Sequence, residues 1–192
     1  MDLQLGDGLL VADVQNDFLP GGALGVLLGD EIVPVLNRYV AAFLARGLAI
    51  FASRDWHPPN HCSFREQGGI WPVHCVVGTK GAEFHPDFHL SQGTVIISKA
   101  TAPKKEAYSA FEGTTLDEHL RETRVRRLFI GGLATDYCVL NTVRDAIKGG
   151  YAVCLLLDGI RAVNLKPDDG RKAEEEMIRL GAVPIRLENV AA

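Results

Sequence analysis

Asp13, Lys99 and Cys138 each stand at or just past the end of a short apolar run. Leu9-Leu10-Val11-Ala12 precedes Asp13, Val95-Ile96-Ile97-Ser98 precedes Lys99, and Leu128-Phe129-Ile130 lies shortly before Cys138. Such runs read as buried strands, and parallel α/β sheets gather ligands beyond the carboxyl ends of their strands. A carboxylate, an ammonium and a thiol delivered to one place form the inventory of a nucleophilic cysteine site. The segment Gly131-Gly132-Leu133-Ala134-Thr135-Asp136-Tyr137-Cys138 reads as a strand end, a glycine turn and a helix start. A thiol in a first helical turn feels the positive end of the helix dipole, which is expected to lower its pKa. The N–H groups of the same turn can stabilise an oxyanion. Taken singly, each residue has an ordinary reading: a packing cysteine, a turn-capping carboxylate, a solvated lysine. Their joint placement at strand ends favours chemistry.

A second constellation offers metal ligands. In Asp55-Trp56-His57 the outer residues are two apart in extended chain, so carboxylate and imidazole point the same way. Asp plus His is an ordinary ligand pair for a divalent transition metal. His74, within Trp71-Pro72-Val73-His74-Cys75, is the preferred third ligand because the prolines and tryptophan stiffen its loop; His61, His85 and His89 are weaker candidates. D-x-H alone is not specific, and a capping aspartate among solvated loop histidines would show the same spacing.

The elements that must position these groups alternate strand with helix, which predicts an α/β fold. The expectation is a single-domain, doubly wound, mainly parallel six-stranded sheet with helices on both faces, spanning residues 1–192. Strands are expected near 9–13, 48–53, 94–98, 127–131, 152–157 and 183–186. A long helix should follow Asp30, with Ile32, Val33, Leu36, Tyr39, Val40, Phe43 and Leu44 on its apolar face, Pro34 in its first turn and Gly47 at its end. Thr115 to Glu118 reads as a capping box opening a short helix, Thr135 or Asp136 can cap the helix carrying Cys138, and an amphipathic helix is expected near 170–180. Between Ser53 and Thr94 lie about forty residues of little periodicity that hold five of the six histidines, so this segment is read as functional.

Composition limits the partners. With 192 residues, 47% of them apolar, the chain can bury a substantial core. Its 24 acidic and 20 basic residues are scattered and leave a net charge of −4, so neither nucleic acid nor an anionic membrane surface is an expected partner. The start Met-Asp-Leu-Gln lacks a signal-peptide pattern and no apolar run reaches membrane-spanning length; a soluble cytoplasmic protein is the default expectation. Cys62, Cys75, Cys138 and Cys154 show no C-x-x-C spacing, against a zinc ribbon or redox pair, and Cys154 reads as a buried strand residue. A homo-oligomer is compatible with the sequence.

Several motifs in order resemble a known family. Val11 to Phe18 (VADVQNDF), Arg54 to His61 (RDWHPPNH), Trp71 to Cys75 (WPVHC), Tyr108 to Phe111 (YSAF) and Gly132 to Cys138 (GLATDYC) together look like a nicotinamidase (pyrazinamidase) of the isochorismatase-like cysteine hydrolases, from Leu9 to about Asp158. The resemblance implies a triad of Asp13, Lys99 and Cys138, and one divalent metal ion, zinc foremost with iron or manganese as alternatives, on Asp55, His57 and His74. It implies a cis Leu133–Ala134 peptide and an oxyanion hole from the N–H groups of Ala134 and Cys138. Phe18, Leu24, Trp71, Tyr108, Leu133, Ala134 and Tyr137 match substrate-pocket positions. Ser63 or Glu66 is a candidate for a further metal ligand. The family carries glycine after the lysine where this chain has Ala100.

The implied reaction hydrolyses nicotinamide to nicotinate and ammonia, and pyrazinamide likewise, through a thioester on Cys138, in salvage of NAD. Charges around Cys138 and Lys99 are expected to keep thiolate available near neutral pH. Two other readings stand beside it: another hydrolase of the superfamily, such as an isochorismatase or a carbamoyl-amide hydrolase, and a non-catalytic binding protein of the same fold.

Overall fold

The first strand, β1 (Asp7–Ala12), is buried along its whole length. Leu9 and Val11 enter one apolar layer while Leu10 and Ala12 enter the other, the alternation of a strand covered on both faces. The structure, a computed structural model, describes residues 1–190; Ala191 and Ala192, the end of the expected domain, lie outside the described residues. The remaining elements are α1 (Ile32–Ala45), β2 (Ala49–Asp55), β3 (Val95–Lys99), α2 (Leu116–Glu122), β4 (Arg127–Leu133), α3 (Leu140–Lys148), β5 (Ala152–Arg161), α4 (Asp169–Leu180) and β6 (Val183–Ile185).

The sheet has six strands in the order β3-β2-β1-β4-β5-β6, all parallel. Ile32, Leu36, Tyr39 and Phe43 of α1 pack with Leu9, Val11, Ile50 and Phe129 on one face. Leu116 and Leu120 of α2, Leu140 and Val143 of α3, and Ala173 and Met177 of α4 pack with Leu10, Phe51, Leu128 and Ile130 on the other. The doubly wound expectation is thereby met, Pro34 sits in the first turn of α1, and Gly47 follows it at φ +64°. Cys154 is a buried strand residue, as expected.

Two capping expectations fail. Thr115 makes no side-chain cap; Thr114 Oγ1 instead accepts from the Leu116 N–H at 3.2 Å, one residue earlier in the chain. Neither Thr135 nor Asp136 caps its own helix. The Asp136 carboxylate accepts from the N–H groups of Val163 and Asn164 at 2.9 and 2.8 Å, because the chain leaving β5 presents donors to it.

Strand order reverses at β1, whose neighbours β2 and β4 are reached by opposite windings, and this switch point is where such sheets open a crevice. Gly132 in β4 lies there at φ +116°, where a Cβ would meet the Ala12 carbonyl oxygen at 2.0 Å, so only glycine lets β4 approach β1 so closely. The Leu133–Ala134 peptide is cis.

Candidate active site

Register brings the charged residues together. Ala12 pairs with Ser53 across β1 and β2, and Asp55 pairs with Lys99 across β2 and β3. Asp13 follows β1 with φ +51°, and its carboxylate accepts from Ser53 Oγ at 2.7 Å. Lys99 Nζ is fully buried; it donates to Asp55 Oδ1, lies 3.0 Å from Asp13 Oδ2 and reaches Cys138 Sγ at 3.4 Å. Cys138 comes from the far side of the switch point, on a π-helical turn, Thr135–Val139, that continues into α3. The carboxylate, ammonium and thiol expected from the strand ends therefore converge.

Their electrostatics depart from expectation. Burial pushes the Cys138 thiol well above its ordinary value, with Lys99 pulling the other way and Asp13 adding to the rise. Desolvation of the buried sulfur is the largest influence on it, and it opposes the lowering that a helix start would supply. Burial also raises Asp13 above the usual carboxylate range despite the Lys99 ammonium. Lys99 would be lowered by burial, but Asp13 and Asp55 together hold it firmly protonated. The rise makes Asp13 a stronger base toward the thiol that faces it.

Asp55, His57 and His74 form the second cluster, all buried, with one ligand atom from each within 4.8 Å of the others. His57 Nδ1 donates to the Ala100 carbonyl at 3.2 Å and His74 Nδ1 donates to the Pro72 carbonyl at 2.7 Å. Both Nε2 atoms are thus left facing Asp55 Oδ2, at 3.4 and 3.9 Å. The buried His57 Nε2 has no hydrogen-bond partner. Burial, above all, lowers His74, keeping it neutral. Two imidazole lone pairs converging on a carboxylate is a donor set that fits a divalent cation, each ring being fixed through its other nitrogen. Burial would raise Asp55, but Lys99 and then His57 hold it well below the usual carboxylate range.

His61 stacks on His57 with ring centroids 4.2 Å apart, yet both its nitrogens are engaged, Nδ1 with Ser63 Oγ at 2.7 Å and Nε2 with the Lys105 carbonyl at 3.1 Å. That bond also commits Ser63, and Glu66 is exposed on a separate turn, so neither candidate for a further ligand joins the cluster. His85 and His89 line a surface groove against α1.

Cys138 of the first cluster and all three residues of the second open on one cavity. Phe18, Leu24, Trp71, Tyr108, Ala134 and Tyr137 line it together with Cys138 and the three candidate ligands. Trp71 Nε1 donates to the Tyr108 hydroxyl at 2.9 Å, and the Trp71 and Tyr137 rings meet edge to face at 4.9 Å, which sets one wall. Leu133 does not line the cavity; it is fully buried in the apolar layer beneath α1, the fate of a residue still within β4.

A family model, the isochorismatase domain, matches residues 7–189. The chain belongs to the isochorismatase family. The nicotinamidase of Escherichia coli (strain K12) is 42% identical over 91% of this chain and 92% of its own length. A crystal structure of the pyrazinamidase of Pyrococcus horikoshii in complex with zinc superposes with a TM-score of 0.91 at 50% identity, covering 95% of this chain and 99% of that one. The structure of PnC1 from L. infantum in complex with nicotinate gives a TM-score of 0.90 at 35% identity over 98% of this chain and 96% of that one.

This isochorismatase-family site also uses residues that sequence reasoning passed over. Gln15 is fully buried: its Nε2 donates to the carbonyls of Asp55 at 2.8 Å and Ala82 at 2.9 Å, and its Oε1 accepts from the Asp55 N–H at 2.7 Å. Asp17 accepts from the Cys75 N–H at 2.7 Å and holds the loop after His74. Glu106 and Val163 line the cavity. The signal for Gln15 was a polar side chain two residues past a buried strand; Glu106, in the polar run Lys104-Lys105-Glu106, gave none.

Proposed function

We propose that the chain is a metal-dependent cysteine amidohydrolase that converts nicotinamide to nicotinate and ammonia, and pyrazinamide to pyrazinoate, in salvage of NAD. The observation that carries the reading is the approach of Lys99 Nζ to Asp13 Oδ2 at 3.0 Å and Cys138 Sγ at 3.4 Å, on a cavity walled by aromatic rings. The likeness to nicotinamidases over nearly the whole chain supports it. Residues 1–192 act as one hydrolase domain in this reading.

Asp13 takes the Cys138 S–H proton as the sulfur attacks the carboxamide carbon, and Lys99 stabilises the charge moving between them. The N–H groups of Ala134 and Cys138 receive the oxyanion; a single such donor typically lowers the barrier by ~3 kcal/mol. Collapse breaks the C–N bond, Asp13 returns the proton to the leaving ammonia, and a thioester remains on Cys138. Water gives a proton to Asp13 and attacks the thioester, releasing the acid and the thiolate, which regains the proton. Asp55, His57 and His74 would hold the divalent ion, zinc foremost, which when bound offers a coordination position to the substrate's ring nitrogen. Phe18, Leu24, Trp71, Tyr108 and Tyr137 pack the ring.

An isochorismatase acts on an acidic substrate, and among the described residues no lysine or arginine lines this cavity to receive one, which favours a neutral amide. A cytoplasmic location is part of the proposal; among the described residues no helix is long and apolar enough to cross a membrane.

The test is ammonia release from nicotinamide by the metal-loaded protein, repeated with Cys138→Ala. The variant should lose at least ~10³-fold in turnover and keep its metal content. Substantial release by the variant would sink the thioester route.

A further inference from the structure

Two carboxylates line the cavity, Asp55 and Glu106. Asp55 is answered by Lys99. Glu106 is half-buried, makes one hydrogen bond by accepting from the Ala107 N–H at its Oε1 (3.0 Å), and joins no ion pair among the described residues. Its charge is felt across the wall: burial chiefly, and then Glu106, push the Tyr108 phenol up to about 12 against the opposing hydrogen bond from Trp71.

Amide hydrolysis changes the charge of what the cavity holds. A neutral carboxamide enters, and water replaces nitrogen to give a carboxylate and ammonium at neutral pH. The anionic product is then held beside a second carboxylate, Glu106, while Lys99, 3.4 Å from Cys138 Sγ, is already paired with Asp13 and Asp55. Like charges set against the wrong ligand are a direct means of discrimination, stronger where water is partly excluded.

We propose that Glu106 is a specificity-determining residue: its unpaired carboxylate on the cavity wall disfavours anionic ligands, selecting neutral amides and speeding release of the acid product. This rests on the amide-hydrolysis reading. The Ala107 N–H needs only an acceptor oxygen, which glutamine also provides, so the charge is not required for that turn.

The test compares wild type, Glu106→Gln and Glu106→Asp, all metal-loaded, by the dissociation constant of nicotinate in calorimetry and the KM for nicotinamide. Glu106→Gln should tighten nicotinate at least threefold relative to the KM for nicotinamide. Glu106→Asp, which keeps the charge, should stay near wild type, and raised ionic strength should shrink the gap between wild type and Glu106→Gln. An unchanged nicotinate constant in Glu106→Gln, or an equal change in Glu106→Asp, overturns the inference. Failure of wild type to hydrolyse nicotinamide would instead remove the activity reading, while the nicotinate titration would still decide the role of the charge.

Discussion

Ser53 Oγ donates to Asp13 Oδ1 at 2.7 Å, directly across the β1–β2 register that pairs Ser53 with Ala12. The bond favours the ionised carboxylate and so works against the burial that raises Asp13. Removing it with Ser53→Ala should raise Asp13 further. Turnover needs Asp13 as carboxylate, so activity is lost as pH falls through its pKa, and a higher pKa moves that loss to higher pH. The acid limb of kcat/KM should shift upward by about one pH unit, the scale of a hydrogen bond to a charged group. An unmoved limb would show that another group limits the rate in acid.

Lys99 is the cation on which two buried carboxylates depend. Lys99→Met keeps much of the side-chain volume but takes from Asp13 and Asp55 the cation they share, which in the metal-free protein should cost about 3–5 kcal/mol of stability at neutral pH. In the variant both carboxylates have folded-state pKa values raised above their unfolded ones, so their penalty grows as pH rises and fades as they protonate. Denaturant unfolding should show a smaller deficit in mild acid than at neutral pH. Equal deficits at both would mean that packing, not charge, is lost.

His57 and His61 stack together but have different partners. His57→Ala removes an imidazole whose Nε2 has no protein hydrogen bond, and should weaken zinc binding at least tenfold in a chelator competition. His61→Ala removes one whose nitrogens are engaged by Ser63 and Lys105, and should retain bound zinc. Loss of zinc from the His61 variant alone would reassign the ligands.

What was legible in the sequence follows from how local the signal is. Asp13 and Lys99 end apolar runs, and a parallel strand needs such a run wherever it is covered on both faces. Asp55 and His57 were found from a two-residue spacing in extended chain. Glu106 and Val163 enter through contacts across dozens of residues that no local pattern encodes. The failed caps have the same cause: Asp136 had a helix to cap nearby, but Val163 and Asn164, distant in sequence, offered their N–H groups. The thiol's raised pKa was hidden because dipole and neighbours can be read along the chain, whereas the depth of burial cannot.

Ala100 holds φ +51°, a left-handed conformation that costs a residue with a Cβ about 1–2 kcal/mol. Its carbonyl receives the His57 Nδ1–H, so the conformation belongs to the support of a candidate metal ligand rather than to an idle turn. The resemblance places glycine at this position, and the backbone supplies the reason. Ala100→Gly removes the Cβ penalty but adds glycine's greater loss of freedom on folding, roughly 0.5–1 kcal/mol. The net should be a gain of about 0.5–1 kcal/mol in unfolding free energy, with zinc affinity held because the carbonyl stays in place. A loss of stability on this substitution would show that the Ala100 methyl group packs favourably enough to outweigh the left-handed backbone.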